Sequence, residues 1–267
     1  MTDERLATAE RLAREAGAMA LKHFRHIGFE QKGIDDRVTE ADRALQAHIH
    51  AAVSAAFPHD GFIGEEADAA KLFTQRPDAE WCWIVDPIDG TNNFAMGLPI
   101  FAVSIGIFRH GAPYAGAIFD PCRGEMYRAL HGHGAERNGE SIVVTDAPVD
   151  PNALFGLPSL LHPPLPRYAV AWFEHHKCRD LGSLALQMAY VAAGQLHWTL
   201  GFRSKIWDVA AAAAMVLEAG GRITDLAGRP IFPADLAAES GAPTPMLASN
   251  GAAHDALIAQ IAAGQAG

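Results

Sequence analysis

One stretch constrains this chain more than any other: Trp83-Ile84-Val85-Asp86-Pro87-Ile88-Asp89-Gly90-Thr91-Asn92-Asn93-Phe94. An apolar run with the composition of a buried strand ends in two carboxylates three residues apart, followed by Gly and Thr. Proline fixes its own backbone and biases its predecessor away from helix, so the strand must turn at Asp86. A turn there aims both carboxylates and the Ile88 carbonyl to one side. Gly90 lets a ligand come close to the backbone. Thr91 opens the next segment, where free N–H groups suit a phosphate oxygen. An oxygen donor set without His or Cys favours Mg2+ or Mn2+ over zinc. D-P or D-G alone reads as an Asx-type turn, but D-P-I-D-G-T after a buried strand reads as a site holding a hard cation against a phosphate.

The rest of the chain supplies a setting for that site. Residues 4–27 read as an amphipathic helix with Leu6, Ala9, Ala13, Ala16, Ala20 and Phe24 on one face. A polar segment, Glu30 to Arg37, follows it. Thr39-Glu40-Ala41-Asp42 fits a capping box and opens a second helix carrying Leu45, Ile49, Val53 and Ala56, which Pro58 stops. Gly61-Phe62-Ile63-Gly64 is a short strand delivering Glu65 and Glu66. Strands are expected over 82–85, 100–108, 113–119, 125–130 and 141–145, separated by His110-Gly111, Asp120-Pro121 and Asn138-Gly139, as an antiparallel sheet on the first two helices.

The Pro-rich stretch 147–166 marks the expected boundary between a part at 1–147 and a part at 148–267. Beyond it the pattern gives strand 168–173, helix 183–193, strand 195–200, helix 207–219, strands 222–225 and 246–249, and helix 252–263. Gly220-Gly221 ends the 207–219 helix.

Bulk properties narrow the function classes. A net charge of −10 argues against a general nucleic-acid binder, which needs a basic face. No apolar run approaches the length of a membrane span. The opening Met1-Thr2-Asp3-Glu4-Arg5 carries no signal peptide, so a cytoplasmic location is expected. Cys82, Cys122 and Cys178 are odd in number and far apart, which points away from a disulfide framework or structural zinc.

Three further sets of acids stand elsewhere, and each has a bland explanation. Glu65-Glu66 after a strand reads as a solvated pair, Asp208 at the start of an apolar helix as a cap offsetting the helix dipole, and Asp42 as part of a capping box. Their order along the chain changes that weighting. Gly64-Glu65-Glu66, the Trp83-to-Phe94 stretch, and Trp207-Asp208-Val209-Ala210-Ala211 leading to Glu218-Ala219-Gly220-Gly221 follow one another. Lys32, Val38-Thr39-x-x-Asp42, Gly132-His133-Gly134-Ala135, Asn138-Gly139 and Gly182-Ser183 fill the gaps. In these motifs and their order the chain resembles the inositol monophosphatase family of Mg2+-dependent, Li+-sensitive phosphatases, over nearly its whole length.

The resemblance implies an α+β, layered αβαβα sandwich of the inositol monophosphatase and fructose-1,6-bisphosphatase type. It implies a phosphomonoesterase acting on a small phosphorylated metabolite, with two or three Mg2+ per site and Mn2+ as a substitute, and a homodimer. Glu65, Asp86 and the Ile88 carbonyl would hold one Mg2+, and Asp86, Asp89 and Asp208 a second. Glu65 and Thr91 would orient and deprotonate the attacking water, with Asp42 supporting a third cation or its waters. Asp89, Gly90, Thr91, Gly182, Ser183 and Asp208 would contact substrate.

One segment departs from the pattern. Inositol-selective relatives place a Glu some residues before the Trp-Asp pair, whereas Thr199-Leu200-Gly201-Phe202-Arg203-Ser204-Lys205-Ile206 holds no acid. Arg203 and Lys205 are therefore read either as surface cations or as attractants for a second anionic group on a bisphosphate or nucleotide. The remaining substrate alternatives are histidinol phosphate, fructose 1,6-bisphosphate and 3′-phosphoadenosine 5′-phosphate. A regulatory protein that keeps the fold and binds a macromolecule is the alternative of a different class.

Overall fold

A computed structural model describes residues 3–25, 29–31, 37–66, 73–158 and 166–265. Lys32, Ser159, Pro163 and Pro164 lie outside the described residues, as does the side chain of Thr39.

The chain opens with α1 (Glu4–His23), β1 (Phe29–Gln31), β2 (Arg37–Thr39), α2 (Glu40–Ala56), β3 (Gly61–Gly64) and β4 (Phe73–Gln75). Next come β5 (Trp81–Asp89), the short helix α3 (Thr91–Ala95), β6 (Ala102–Arg109), β7 (Ala112–Asp120), β8 (Glu125–Leu130), β9 (Gly134–Arg137) and β10 (Glu140–Ile142). The remainder runs β11 (Leu154–Gly156), α4 (Arg167–His175), β12 (Lys177–Arg179), α5 (Leu184–Ala192), β13 (Trp198–Gly201) and α6 (Ile206–Glu218). It closes with β14 (Gly221–Thr224), a turn of 3-10 helix at Leu236–Ala238, β15 (Met246–Asn250) and α7 (His254–Gln265).

These elements form five layers. One sheet has the order β10-β9-β8-β7-β6-β5-β3-β4, and a second has β12-β11-β13-β15-β14. The first sheet buries Trp83, Val85, Ile88, Val103 and Ile105 against Leu12, Ala16, Leu45 and Ile49 of α1 and α2. Its other face presents Ala102, Ile118 and Tyr127 to α5 and α6, which also pack on Ile223, Met246 and Ala248 of the second sheet. The far face of the second sheet packs Phe155, Trp198 and Leu247 against Tyr168 and Trp172 of α4 and Leu257 and Ile261 of α7. The αβαβα sandwich expected from the sequence is the observed architecture.

The alanine run 210–214 follows from this layering. A helix clamped between two sheets is buried all round, so it needs small apolar side chains on every face. The approach to the first sheet is closest at Gly106 and Gly116, which pair with each other across β6 and β7. A Cβ on Gly106 would come within 2.7 Å of Ala210 Cβ, and one on Gly116 within 2.3 Å of the Ala211 carbonyl oxygen. Gly116→Ala should therefore push α6 outward and destabilise the fold by about 1–3 kcal/mol, the usual cost of overpacking. At this chain length that lowers Tm by roughly 3–10 °C in a calorimetric scan; an unchanged Tm would show that the seam has slack.

Several expectations need correction. The segment 168–173 is helix rather than strand: Tyr168, Ala169 and Trp172 are buried while Val170 and Phe173 are exposed, a helical spacing that its β-branched and aromatic composition obscures. The first sheet is mixed rather than antiparallel, because β3 pairs with β5 in parallel. The polar interruption after the first helix contains the antiparallel pair β1–β2. The strand expected at 141–145 stops at Ile142; beyond it Val144 N–H bonds to the Ala219 carbonyl, and Asn250 Nδ2 donates to the Thr145 carbonyl. The three-residue strands β4, β11 and β12 and the four-residue β9 lack a pattern long enough to read.

Candidate active site

The two carboxylates of β5 stand three residues apart, a spacing that in a regular strand points them to opposite faces. A bulge prevents this. Asp86 pairs with Ser104 of β6, but Asp89 pairs with Ala102, so three steps on β5 match two on β6. The extra residue returns Asp89 to the face of Asp86, toward α5 and α6, while the Ile88 side chain stays in the α1/α2 core. Pro87 is tolerated inside the sheet because a bulge needs no ladder donor there. Asp86 Oδ1 accepts from the Ile88 N–H at 3.0 Å, so the Asx turn is present within the site.

Other elements converge on this strand end. Glu65 follows β3, whose N–H bonds to the Val85 carbonyl at 3.2 Å in continuation of the parallel ladder. Gly90 has φ 97°, the left-handed region, and a Cβ there would meet the Ile100 and Gly182 carbonyl oxygens at 3.0 and 3.2 Å. Thr91 Oγ1 donates to the Ile88 carbonyl at 2.9 Å. Asp208 lies in the first turn of α6 and accepts from the Lys205 N–H at 2.7 Å, closing the helix start.

Asp89 does more than the sequence indicates. Its carboxylate accepts from the Ser183 hydroxyl and from the N–H groups of Leu184 and Ala185, at 3.2 and 3.0 Å. It thus satisfies the exposed donors at the start of α5 and ties the first sheet to that helix. Asn93 adds a second tie, its Nδ2 donating to the carbonyls of Ile100 and Leu181, each at 2.7 Å. An Asn after a D-G-T turn carries no sequence signal for such a clamp.

Glu65, Asp86, Ile88, Asp89, Gly90, Thr91, Gly182, Ser183 and Asp208 line a single cavity of about 220 Å3. Every residue proposed from the sequence as a cation ligand, water-orienting group or substrate contact is among them except Asp42, which is fully buried in the first turn of α2 and does not line it. Gln187, Phe202 and Arg203 also line the cavity. Gln187 gave no sequence signal, being one polar residue in the apolar helix α5. Lys205 is not a lining residue; its Nζ donates to the Gly241 carbonyl.

The electrostatics are those of crowded acids. Burial pushes the Asp86 carboxyl well above the usual carboxylate range, and the charges of Glu65, Asp89 and Asp208 push the same way. Asp89 is raised to about 6 by burial, against hydrogen bonds from Ser183, Ala185 and Leu184 that pull it down. Among the described residues no three acidic, thiol or imidazole groups have the spacing of a finished cation cage. What fits a cation is the donor chemistry: oxygen atoms only, facing one cavity, with negative charge no described lining acid can shed cheaply except by protonation.

Comparison with known proteins gives four findings. A model of the inositol monophosphatase family matches residues 1–266. An inositol monophosphatase 2 of Solanum lycopersicum is 35% identical over 238 residues, covering 85% of this chain and 89% of that protein. A protein named Nus factor SuhB, from Escherichia coli, is 34% identical over 236 residues, covering 84% of this chain and 85% of that one. Among solved structures, the IMPase of Thermotoga maritima superposes with a TM-score of 0.86 at 30% identity, over 99% of each chain.

Proposed function

The chain belongs to the inositol monophosphatase family, phosphoric monoester hydrolases of small phosphorylated metabolites that are generally metal-dependent, and we propose that its cavity is the catalytic site for Mg2+-dependent hydrolysis of a sugar or polyol phosphate. The observation that carries this reading is the bulge in β5, which turns Asp86 and Asp89 to one face beside Glu65 and Asp208. In this reading Glu65, Asp86 and the Ile88 carbonyl hold one cation, and Asp86, Asp89 and Asp208 hold another. Bound there, paired Mg2+ ions neutralise phosphoryl charge and lower the pKa of water.

The chain's own residues divide the remaining work. The Thr91 hydroxyl already spends its proton on the Ile88 carbonyl, so its lone pairs are oriented to accept from a water molecule. Glu65 takes the other proton of that water as its oxygen bonds to phosphorus, while the ester phosphorus–oxygen bond breaks and the leaving alkoxide takes a proton from solvent water. The backbone N–H groups of Gly90 and Thr91 are left to receive phosphate oxygens, those at the start of α5 being taken by Asp89. Asp42, buried in the first turn of α2 and not a lining residue, is kept as a support for a third cation or its waters. The same reading carries a homodimer, a cytoplasmic location, inhibition by Li+, and Mn2+ as a substitute. Among the described residues no helix is long and apolar enough to cross a membrane.

A second substrate reading has its own observation. Arg203 is the one cation among the described lining residues, and the cavity wall at 201–204 has no acid to accept from a ring hydroxyl. That combination suits a phosphomonoester bearing a second anionic group. Phosphate release from inositol, sugar, histidinol and nucleotide phosphates, with Mg2+ and with or without Li+, tests both readings. On the second, Arg203→Ala loses activity on bisphosphates about tenfold or more and leaves monophosphates nearly unchanged; an equal effect on both classes removes Arg203 from selectivity. Negligible release from every ester, together with capture of a stoichiometric protein partner, would replace the enzyme reading with a regulatory one. The likeness to a protein named Nus factor supports that alternative.

A further inference from the structure

Ser104 is the other half of the Asp86 ladder pair. Its hydroxyl is fully buried and has no hydrogen-bond partner. Buried hydroxyls are nearly always paired, so an orphan of this kind points to a partner that arrives with something else. Paired residues in neighbouring strands share a face and stand about 5 Å apart at Cβ. The two residues directly flanking Ser104 across the sheet are Asp86 on β5 and Ile118 on β7. Ile118 offers no acceptor. Above this face lie α5 and α6; Leu186, Val209, Ala211 and Ala212 of these helices are apolar and buried, and among their polar side chains Gln187 and Asp208 line the cavity.

We infer that Ser104 is a positioning residue for Asp86: when a divalent cation is bound, its buried hydroxyl donates to the Asp86 carboxylate through one enclosed water and so fixes the orientation in which that carboxylate meets the cation. The assignment rests on the cation reading of the site. It uses a lone pair of Asp86 that the Ile88 N–H leaves open, since that N–H occupies Oδ1 alone. A hydrogen-bonded carboxylate presents one fixed face to a cation, and loss of such an outer support commonly weakens binding by 10- to 100-fold. Ser104 touches no reacting atom in this scheme, so its effect appears in cation affinity before it appears in turnover.

The test is a Mg2+ titration of the intact chain read by thermal shift and by calorimetry, on wild type, Ser104→Ala and Ser104→Thr. Ser104→Ala should melt in EDTA at or slightly above the wild-type temperature, because it deletes an unpartnered polar group. Its half-saturating Mg2+ should rise about tenfold, and Ser104→Thr, which keeps a hydroxyl, should recover most of that loss. A Ser104→Ala chain that titrates like wild type overturns the assignment. So does an equal loss in both variants with wild-type melting in EDTA, which would mark a packing effect. If the added methyl of Ser104→Thr lowers melting in EDTA, Ser104→Ala decides alone. A wild-type chain with no Mg2+ response overturns this inference and the cation reading together, whereas a wild-type response left intact by Ser104→Ala overturns only this one.

Discussion

Asp89→Asn is expected to abolish phosphate release, by about a thousandfold or more, while the chain stays folded. The loss follows from the site's electrostatics: removing one preorganised charge-stabilising contact commonly costs 10²–10³ in turnover, and on our reading Asp89 also holds a cation. The retained fold needs a separate argument, because Asp89 caps α5 through Ser183, Leu184 and Ala185. Asn keeps one acceptor oxygen for those donors but sets an amide against the others, at about 0.5–2 kcal/mol by analogy with lost helix caps.

Against that stands a relief. Asp89 titrates near 6 in the folded chain, above the ordinary value of 3.8. The native state therefore binds this proton more tightly than the unfolded chain, and stability falls as pH rises from about 4 through 6. A neutral side chain escapes that fall. Near pH 7.5 and without cation, the variant should melt close to wild type, yet gain less than wild type when Mg2+ is added, since only the cation assigned to Glu65, Asp86 and the Ile88 carbonyl keeps its full set of ligands. A variant that retains wild-type turnover sinks the proposed mechanism, and one that fails to fold would show the cap outweighing the relief.

Removing the cation should be as severe. In excess EDTA phosphate release should vanish, and restoring Mg2+ to 100 times its dissociation constant should stabilise the chain by about 2.7 kcal/mol, raising Tm by roughly 5–10 °C. The source of the shift is the carboxylate crowd: Asp86 is held well above its usual range by burial and by Glu65, Asp89 and Asp208, and a bound cation offsets both. Protons and cations compete for the same oxygens. Half-saturating Mg2+ should accordingly rise as pH is lowered toward 6 and below, where Asp89 takes up its proton. Full activity in EDTA, or a Tm indifferent to Mg2+, would refute the cation reading.

Much of the site was legible because its carriers are local. Asp86, Ile88, Asp89, Gly90 and Thr91 sit in one uninterrupted run, and Glu65 and Asp208 each follow or begin a strongly patterned element. What stayed hidden depends on tertiary pairing. Nothing in the chain announces that Asp89 caps a helix 95 residues later through the Leu184 N–H, that Asn93 clamps Leu181, or that Lys205 turns from the cavity to Gly241. The segment 168–173 misled because composition favoured strand while burial, visible only once α7 is in place, follows a helical face. The division near residue 147 we propose as a boundary between two sheets rather than between independently folding bodies, since α5 and α6 are buried against both.

The bulge in β5 carries one more consequence, for how such a sequence can change over generations. Residues within Asp86 to Asp89 could be exchanged one for another where the backbone permits, but their number could not drift. Deleting one would remove the bulge: at two-residue spacing Asp89 would still face the cavity, but the Asp86–Ile88 turn, and with it the placing of the Ile88 carbonyl, would be lost. Inserting one would displace Gly90 and Thr91 from the strand end they now close. What descent must hold fixed here is a length as much as a set of letters, and that is why so short a run could be read without any other sequence beside it.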